Sequence, residues 1–126
     1  MLLSTNLKHL ETKADLTKLI ASEENVMVCC GRMGPMCIPV YGVMEELEKS
    51  GEYPSVAFRD MAFDSPESDY IRRLPECQGF RGIPFTVYFK NGKVAKATSS
   101  IQSKQQVESI LKEALVNGTV GAANKG

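Results

Sequence analysis

The run Val26-Met27-Val28-Cys29-Cys30 constrains the fold more than any other stretch of this chain. It is short, apolar at every position, and bounded by Asn25 before it and the turn-forming Gly31-Arg32-Met33-Gly34-Pro35 after it. A strand with one wet face alternates apolar and polar residues. A strand with no polar position is buried on both faces, the pattern of a central parallel strand covered by helices. Beyond the turn, Val40, Val43, Met44 and Leu47 recur at helical spacing while Glu45, Glu46, Glu48 and Lys49 take the other side, which predicts a helix over about Met36 to Ser50. Pro39 falls in its first turns, where the missing N–H is tolerated. Gly42 is a weak point worth about 1 kcal/mol against alanine.

Around this unit the remaining elements can be placed. Leu7 to Leu10 reads as a short strand, and Thr12 with Asp15 three residues on marks a helix start whose apolar face is Leu16, Leu19 and Ile20. Ser55-Val56-Ala57-Phe58-Arg59 reads as a strand, and Ser65-Pro66 caps a short third helix running to Leu74. Phe85–Phe89 and Lys93–Ala97 flank Lys90-Asn91-Gly92, a strong hairpin signal. Ser103 with Gln106 forms a capping box for a last helix striped by Val107, Ile110, Leu111 and Leu115, and Asn117-Gly118 is expected to end it. The order β-α-β-α-β-α-β-β-α implies an α/β domain with a central mixed sheet and helices on both faces. One domain over residues 1–118 and a flexible tail over 119–126 are expected.

Charge narrows the function. Lys and Arg number 15 against 15 Asp and Glu, so no global field draws the protein to nucleic acid or an anionic membrane, and recognition must be local. The start, Met1-Leu2-Leu3-Ser4-Thr5-Asn6, lacks a basic stretch leading into an apolar one, and no apolar run approaches a membrane span, so a cytoplasmic location is expected. Without a secretory signal the sequon Asn117-Gly118-Thr119 carries no weight. Four cysteines are too few for a structural disulfide framework, and any disulfide is expected to be functional.

Two motifs carry a resemblance. Val26 to Cys37 runs without a gap onto the strand, active-site turn and helix start of the thioredoxin family, with Cys37 on the second active-site cysteine. Gly79-Phe80-Arg81-Gly82-Ile83-Pro84-Phe85-Thr86-Val87-Tyr88-Phe89-Lys90-Asn91-Gly92-Lys93 resembles the family's Gly-Ile-Pro segment, strand and hairpin. The likeness covers roughly Leu7 to Val116 and implies the thioredoxin-like fold. The departures fall on the chemistry: Met33, Gly34, Pro35, Met36 and Cys37 stand where the family reads Trp-Cys-Gly-Pro-Cys, so Gly34 replaces the attacking cysteine. The family's buried aspartate falls on Val28, and its helix-kinking proline on Gly42.

Cys37, expected in the first turn of a helix, would gain from unpaired N–H groups and the positive dipole end, which lowers its pKa relative to a core thiol. Cys30 lies seven residues upstream, and a loop that doubles back can bring two Cα atoms within the 4.4–6.8 Å a disulfide needs. The expected active pair is therefore a displaced Cys30/Cys37, with two buried small hydrophobes as the structural alternative. Cys29 points to the opposite face from Cys30 and is assigned to packing. Cys77 is a possible auxiliary thiol, more simply an exposed or half-buried bystander. Zinc is not expected, because Cys30, Cys37 and Cys77 lack a fourth ligand and the usual spacing. No cofactor is expected.

The resemblance further implies a cis Ile83-Pro84 bond and a groove in which a partner's extended segment pairs along Arg81, Gly82 and Ile83 beside Pro84, with Met33, Gly34, Pro35 and Met36 as the other wall. Arg32 is expected to do little as a solvated charge, and His9 to be a surface or strand residue rather than a base. The function expected is thiol-disulfide exchange with a protein partner, fed by an upstream reductase, in a monomer. The alternatives are a non-catalytic adaptor that keeps the groove and has lost the chemistry, and a single-thiol sensor using Cys37 alone.

Overall fold

A computed structural model describes residues 2–116. The chain forms β1 (Lys8–Leu10), α1 (Lys13–Ser22), β2 (Asn25–Gly31), α2 (Ile38–Ser50), β3 (Val56–Ala62), α3 (Asp69–Arg72), β4 (Phe85–Lys90), β5 (Lys93–Ser99) and α4 (Lys104–Ile110), which runs on as a π-helical turn over Leu111–Val116. One sheet has the order β1-β3-β2-β4-β5, with β1, β3 and β2 parallel and β4 and β5 antiparallel. The expected α/β architecture is the one observed. No helix among the described residues is long and apolar enough to cross a membrane.

Every residue of β2 is buried, as its unbroken apolar run requires. Its two-residue period sends Met27 and Cys29 into a core with Val40, Tyr41, Met44 and Leu47 of α2 and Val107 and Leu111 of α4. Val26, Val28 and Cys30 enter a second core with Leu16 and Ile20 of α1 and Ile71 of α3. Alternation on one strand thus decides which helix each side chain meets.

The local signals act where they stand. Thr12 Oγ1 accepts the Asp15 N–H at 3.0 Å and the Asp15 carboxylate accepts the Thr12 N–H at 3.3 Å, while Ser103 and Gln106 exchange the same pair of bonds at 3.1 and 2.8 Å. Asn91 and Gly92 take φ of 53° and 81°, the left-handed pair that matches a two-residue turn to strand twist. Three elements differ from expectation. β3 continues past Arg59 to Ala62. The third helix is a 3₁₀ turn over Pro66–Ser68, capped by Ser65 Oγ accepting the Glu67 N–H at 3.2 Å, and then a single turn of α3. α2 begins at Ile38, so Met36 and Cys37 stay in the turn. The Asn117-Gly118 stop and the tail 119–126 lie outside the described residues.

The extension of β3 brings in a buried charge. Asp60 is 1% exposed and lies on a row of register partners that crosses the sheet: His9 on β1, Asp60 on β3, Cys29 on β2, Thr86 on β4 and Thr98 on β5. The carboxylate takes a hydrogen bond from Thr5 Oγ1 and another across 2.7 Å from His9 Nδ1, and the Thr86 hydroxyl donates to Cys29 Sγ at 3.8 Å. A buried carboxylate must be bonded in this way to be tolerated. The two bonds also tie the segment before β1, with its buried Leu3 and Leu7, to the sheet.

Burial raises the pKa of Asp60 above its ordinary 3.8, against the opposing pull of the Thr5 and His9 hydrogen bonds. The folded protein therefore holds this proton more tightly than the unfolded chain. The stability linked to it is present below pH 3.8 and is lost as pH rises through the higher folded value. Denaturant melts of wild type and Asp60→Asn from acid to neutral pH are expected to show wild type losing ground to the variant as pH rises. A wild type that gains ground over that range would show that the hydrogen bonds, not burial, dominate.

Candidate functional site

The site is built where β2 ends. The Cys37 and Ile38 N–H groups both donate to the Gly34 carbonyl, at 3.1 and 3.0 Å, and this tight turn reverses the chain from β2 into α2. The reversal lays Cys37 back over Gly31. A Cβ on Gly31 would stand 2.8 Å from Cys37 Sγ, 2.8 Å from the Tyr41 hydroxyl and 3.0 Å from Pro84 Cβ, so only glycine allows these three groups to converge there. The Arg32 N–H points at Cys37 Sγ across 3.4 Å, and the Tyr41 hydroxyl donates to the Arg32 carbonyl at 3.0 Å. Cys37 is 1% exposed, a thiol on the floor of the site.

The facing wall is the loop before β4. Ile83-Pro84 is a cis peptide, as the resemblance implies, and the Pro84 carbonyl accepts the Ser100 N–H at 3.0 Å. Gly82 packs near Ser100, whose β-carbon would be 3.5 Å from a Cβ at position 82. Met33 and Met36 are 43% exposed and Ile38 is 48% exposed, so an apolar rim surrounds Pro35 and the turn. A Cβ on Gly34 would meet nothing within 4 Å: the place of the missing thiol is open.

The expected Cys30/Cys37 pair is not assembled. Cys30 belongs to the core under α1 and α3, whereas Cys37 belongs to the core under α2 and α4 with Cys29. The reason is the strand period: Gly31, against which Cys37 rests, shares a face with residue 29 and not with residue 30. Cys29, assigned to packing alone, is the sulfur on the face of Cys37, but the two-residue strand repeat of ~6.6 Å separates its Cβ from the position over Gly31. All four cysteines are free thiols. Burial pushes the thiol of Cys30 up to about 12, partly offset by Ser68 and Arg72, raises that of Cys29 well above 9.0, and lifts that of Cys77 to about 11. Cys77, expected to be partly exposed, is buried on the side of Cys30.

Arg32 is more than a solvated charge. Its Nε and one terminal nitrogen each donate to Asp64 at 2.8 Å, a bidentate pair that holds the Asp64 carboxyl below its usual value. Its guanidinium also lies 5.4 Å from the centroid of Phe63, and that of Arg72 lies 5.8 Å from the same ring. Phe63 is fixed in turn by its N–H on the Gly31 carbonyl at 2.9 Å and by edge contact with Phe85.

Gly31, Tyr41, Asp60 and Phe63 belong to this region and were not singled out by the sequence. Gly31 reads in the sequence as part of the turn, and Tyr41 stands between the apolar positions Val40 and Val43 with no signal of its own. Asp60 could have been found as a lone acid inside the otherwise strand-forming Val56 to Ala62. Among the described residues no three His, Cys, Asp or Glu side chains gather to hold a metal ion.

A five-stranded mixed sheet between helices, with a Gly-Pro turn at the end of its central strand facing a cis-proline loop, defines a protein of the thioredoxin fold. Comparison with solved structures agrees. The thioredoxin of Malassezia sympodialis superposes with a TM-score of 0.69 at 15% identity, over 90% of this chain and 95% of that one. Mitochondrial thioredoxin 3 of Saccharomyces cerevisiae, in its oxidised form, gives 0.68 at 21% identity over 85% and 94%, and the thioredoxin of Plasmodium falciparum 0.64 at 18% over 85% and 98%. No family sequence model and no curated protein matches the chain, so the likeness is one of fold.

Gly31→Ala would push a methyl group into Cys37 Sγ, the Tyr41 hydroxyl and Pro84. A loss of about 1–3 kcal/mol is expected in denaturant melts, with faster alkylation of Cys37 as its thiol is displaced. Wild-type stability and an unchanged alkylation rate would show that the convergence over Gly31 is not needed.

Proposed function

We propose that this protein carries out thiol-disulfide exchange with a protein partner that docks beside Pro84, and that Cys37 acts there as a single thiol. The observation that carries the reading is the placement of Cys37 Sγ between the Arg32 N–H, the Gly31 backbone and Pro84 Cβ, on the floor of an open apolar rim. The nucleophile in this reading is the thiolate form of Cys37, with the Arg32 N–H placed to donate to its sulfur. That thiolate attacks one sulfur of the partner's disulfide; the S–S bond breaks, a Cys37–partner disulfide forms, and the departing sulfur leaves as a thiolate that takes a proton from water. Release needs a second thiol. Because Cys30 lies across the sheet and Cys29 one strand repeat away, we assign that thiol to the partner or to an upstream reductase. A monomer in a reducing compartment such as the cytoplasm suits four free thiols.

The adaptor reading is favoured by a specific pair of facts, the near-complete burial of Cys37 and the open space at Gly34 where an accessible nucleophile would stand. An adaptor holds its partner in the same groove and forms no bond to it.

Incubating native protein with a peptide disulfide and mapping the adducts by mass spectrometry separates the two. Exchange is expected to yield an adduct on Cys37 that dithiol reductant removes, that Cys37→Ser abolishes, and that Cys30→Ser leaves in place. Absence of any adduct on Cys37, with the partner still retained, would establish the adaptor instead.

A further inference from the structure

Beside the groove, the carboxyl ends of β2 and β3 carry an arrangement that the thiol chemistry leaves unused. Phe63 follows β3, and the guanidiniums of Arg32 and Arg72 both lie on its ring, at 5.4 and 5.8 Å. Asp64 neutralises one of them through its bidentate bonds to Arg32. Arg72 donates to the Ser68 hydroxyl at 3.0 Å and to the Ser65 carbonyl at 3.4 Å, and among the described residues it makes no ion pair. Asp64 also feels the charge of Arg72, while Glu67 accepts the Lys13 N–H at 2.8 Å and Asp69 faces Lys13 Nζ at 3.2 Å. Arg81, exposed on the loop that leads to Pro84, adds a further positive charge. Two guanidiniums thus converge on one ring, with a single carboxylate bonded to only one of them.

We propose that Arg72, held on Phe63 beside Arg32 and supported by Arg81, recognises acidic side chains of the partner segment that docks against Pro84. This rests on the reading that a protein segment occupies the groove, but not on its chemistry. The argument is charge complementarity on a preorganised support. A guanidinium held 5.8 Å over an aromatic ring and tied through one edge to Ser68 has lost much of its freedom, so meeting a carboxylate immobilises little more. The apolar rim of Met33, Met36 and Ile38 gives such a segment area without sign, while the arginines select which segments stay.

The test uses fluorescence polarisation with the full chain and two labelled, thiol-free peptides of equal length that differ only in carrying glutamates or lysines. The acidic peptide is expected to bind about fivefold tighter or more, the scale of one favourable charged contact, and to lose that advantage at high salt. Arg72→Glu is expected to invert the preference and Arg72→Lys to keep its sign. Arg81→Glu, on an exposed loop, is expected to weaken the preference without disturbing the fold. Equal binding of the two peptides, or tighter binding of the basic one, overturns the proposal. So does displacement by inorganic phosphate at the concentration of the acidic peptide, which would mark an unselective anion site. Acidic preference without any adduct on Cys37 would instead remove the exchange chemistry and leave this surface standing.

Discussion

The two-residue period of β2 governs this molecule. With every residue from Asn25 to Gly31 buried and helices on both faces, each step along the strand assigns a side chain to one core or the other. Two adjacent cysteines are therefore separated by the full thickness of the sheet, although they share a peptide bond. Cys29 enters the core that holds Cys37, and Cys30 the core that holds Cys77. No rearrangement of the turn changes this, because moving Cys30 to the other face means shifting the register of the strand, which would reverse every neighbour as well.

The same period makes Gly31 the last decision of the strand. It lies on the face of Cys29, and the turn returns Cys37 to that face, so the missing side chain becomes the seat of the sulfur. Tyr41 completes the seat from one turn into α2, its hydroxyl bonded to the Arg32 carbonyl. The thiol is thus held by backbone and by groups with no acid or base of their own near neutrality. Its surroundings are closely packed, while the apolar rim above remains exposed. On the exchange reading proposed above, docking of the partner has to open this floor before the sulfur can be reached.

Much of this was legible in the residues. The apolar run of β2, the paired caps at Thr12 and Ser103 and the Asn91-Gly92 turn each act through local geometry, and local geometry is what a sequence states directly. The Gly-Pro turn and the Pro84 loop were legible as well, through the resemblance that their residues carry to the thioredoxin family. What could not be read was convergence: Gly31 beneath Cys37, Phe63 beneath two arginines, and Asp60 between Thr5 and His9 each join residues that are distant along the chain. The Cys30/Cys37 expectation stops at this step, with both thiols free and in different cores. It treated the turn as free to choose its partner, when the strand had already chosen a face. The alternation that correctly separated Cys29 from Cys30 also determined which of them lies on the side of Cys37, once the side to which the helix returns is known.

The row from His9 through Asp60 and Cys29 to Thr86 and Thr98 shows the same logic working across strands rather than along one. Burying a carboxylate costs more than burying an apolar side chain of the same size unless its bonds are complete. Here they are made by Thr5 and His9, residues of the shortest and outermost strand and the segment before it. β1 has only three residues and three register partners on β3, too little ladder to hold an edge by itself. A buried charge that only the N-terminal segment can satisfy makes that segment's docking and the sheet's integrity one event. Val28 on β2 is apolar, and the acid this chain does bury stands one strand over, on the face shared by Cys29 and Tyr41. Its polarity is therefore spent on closing the edge of the sheet.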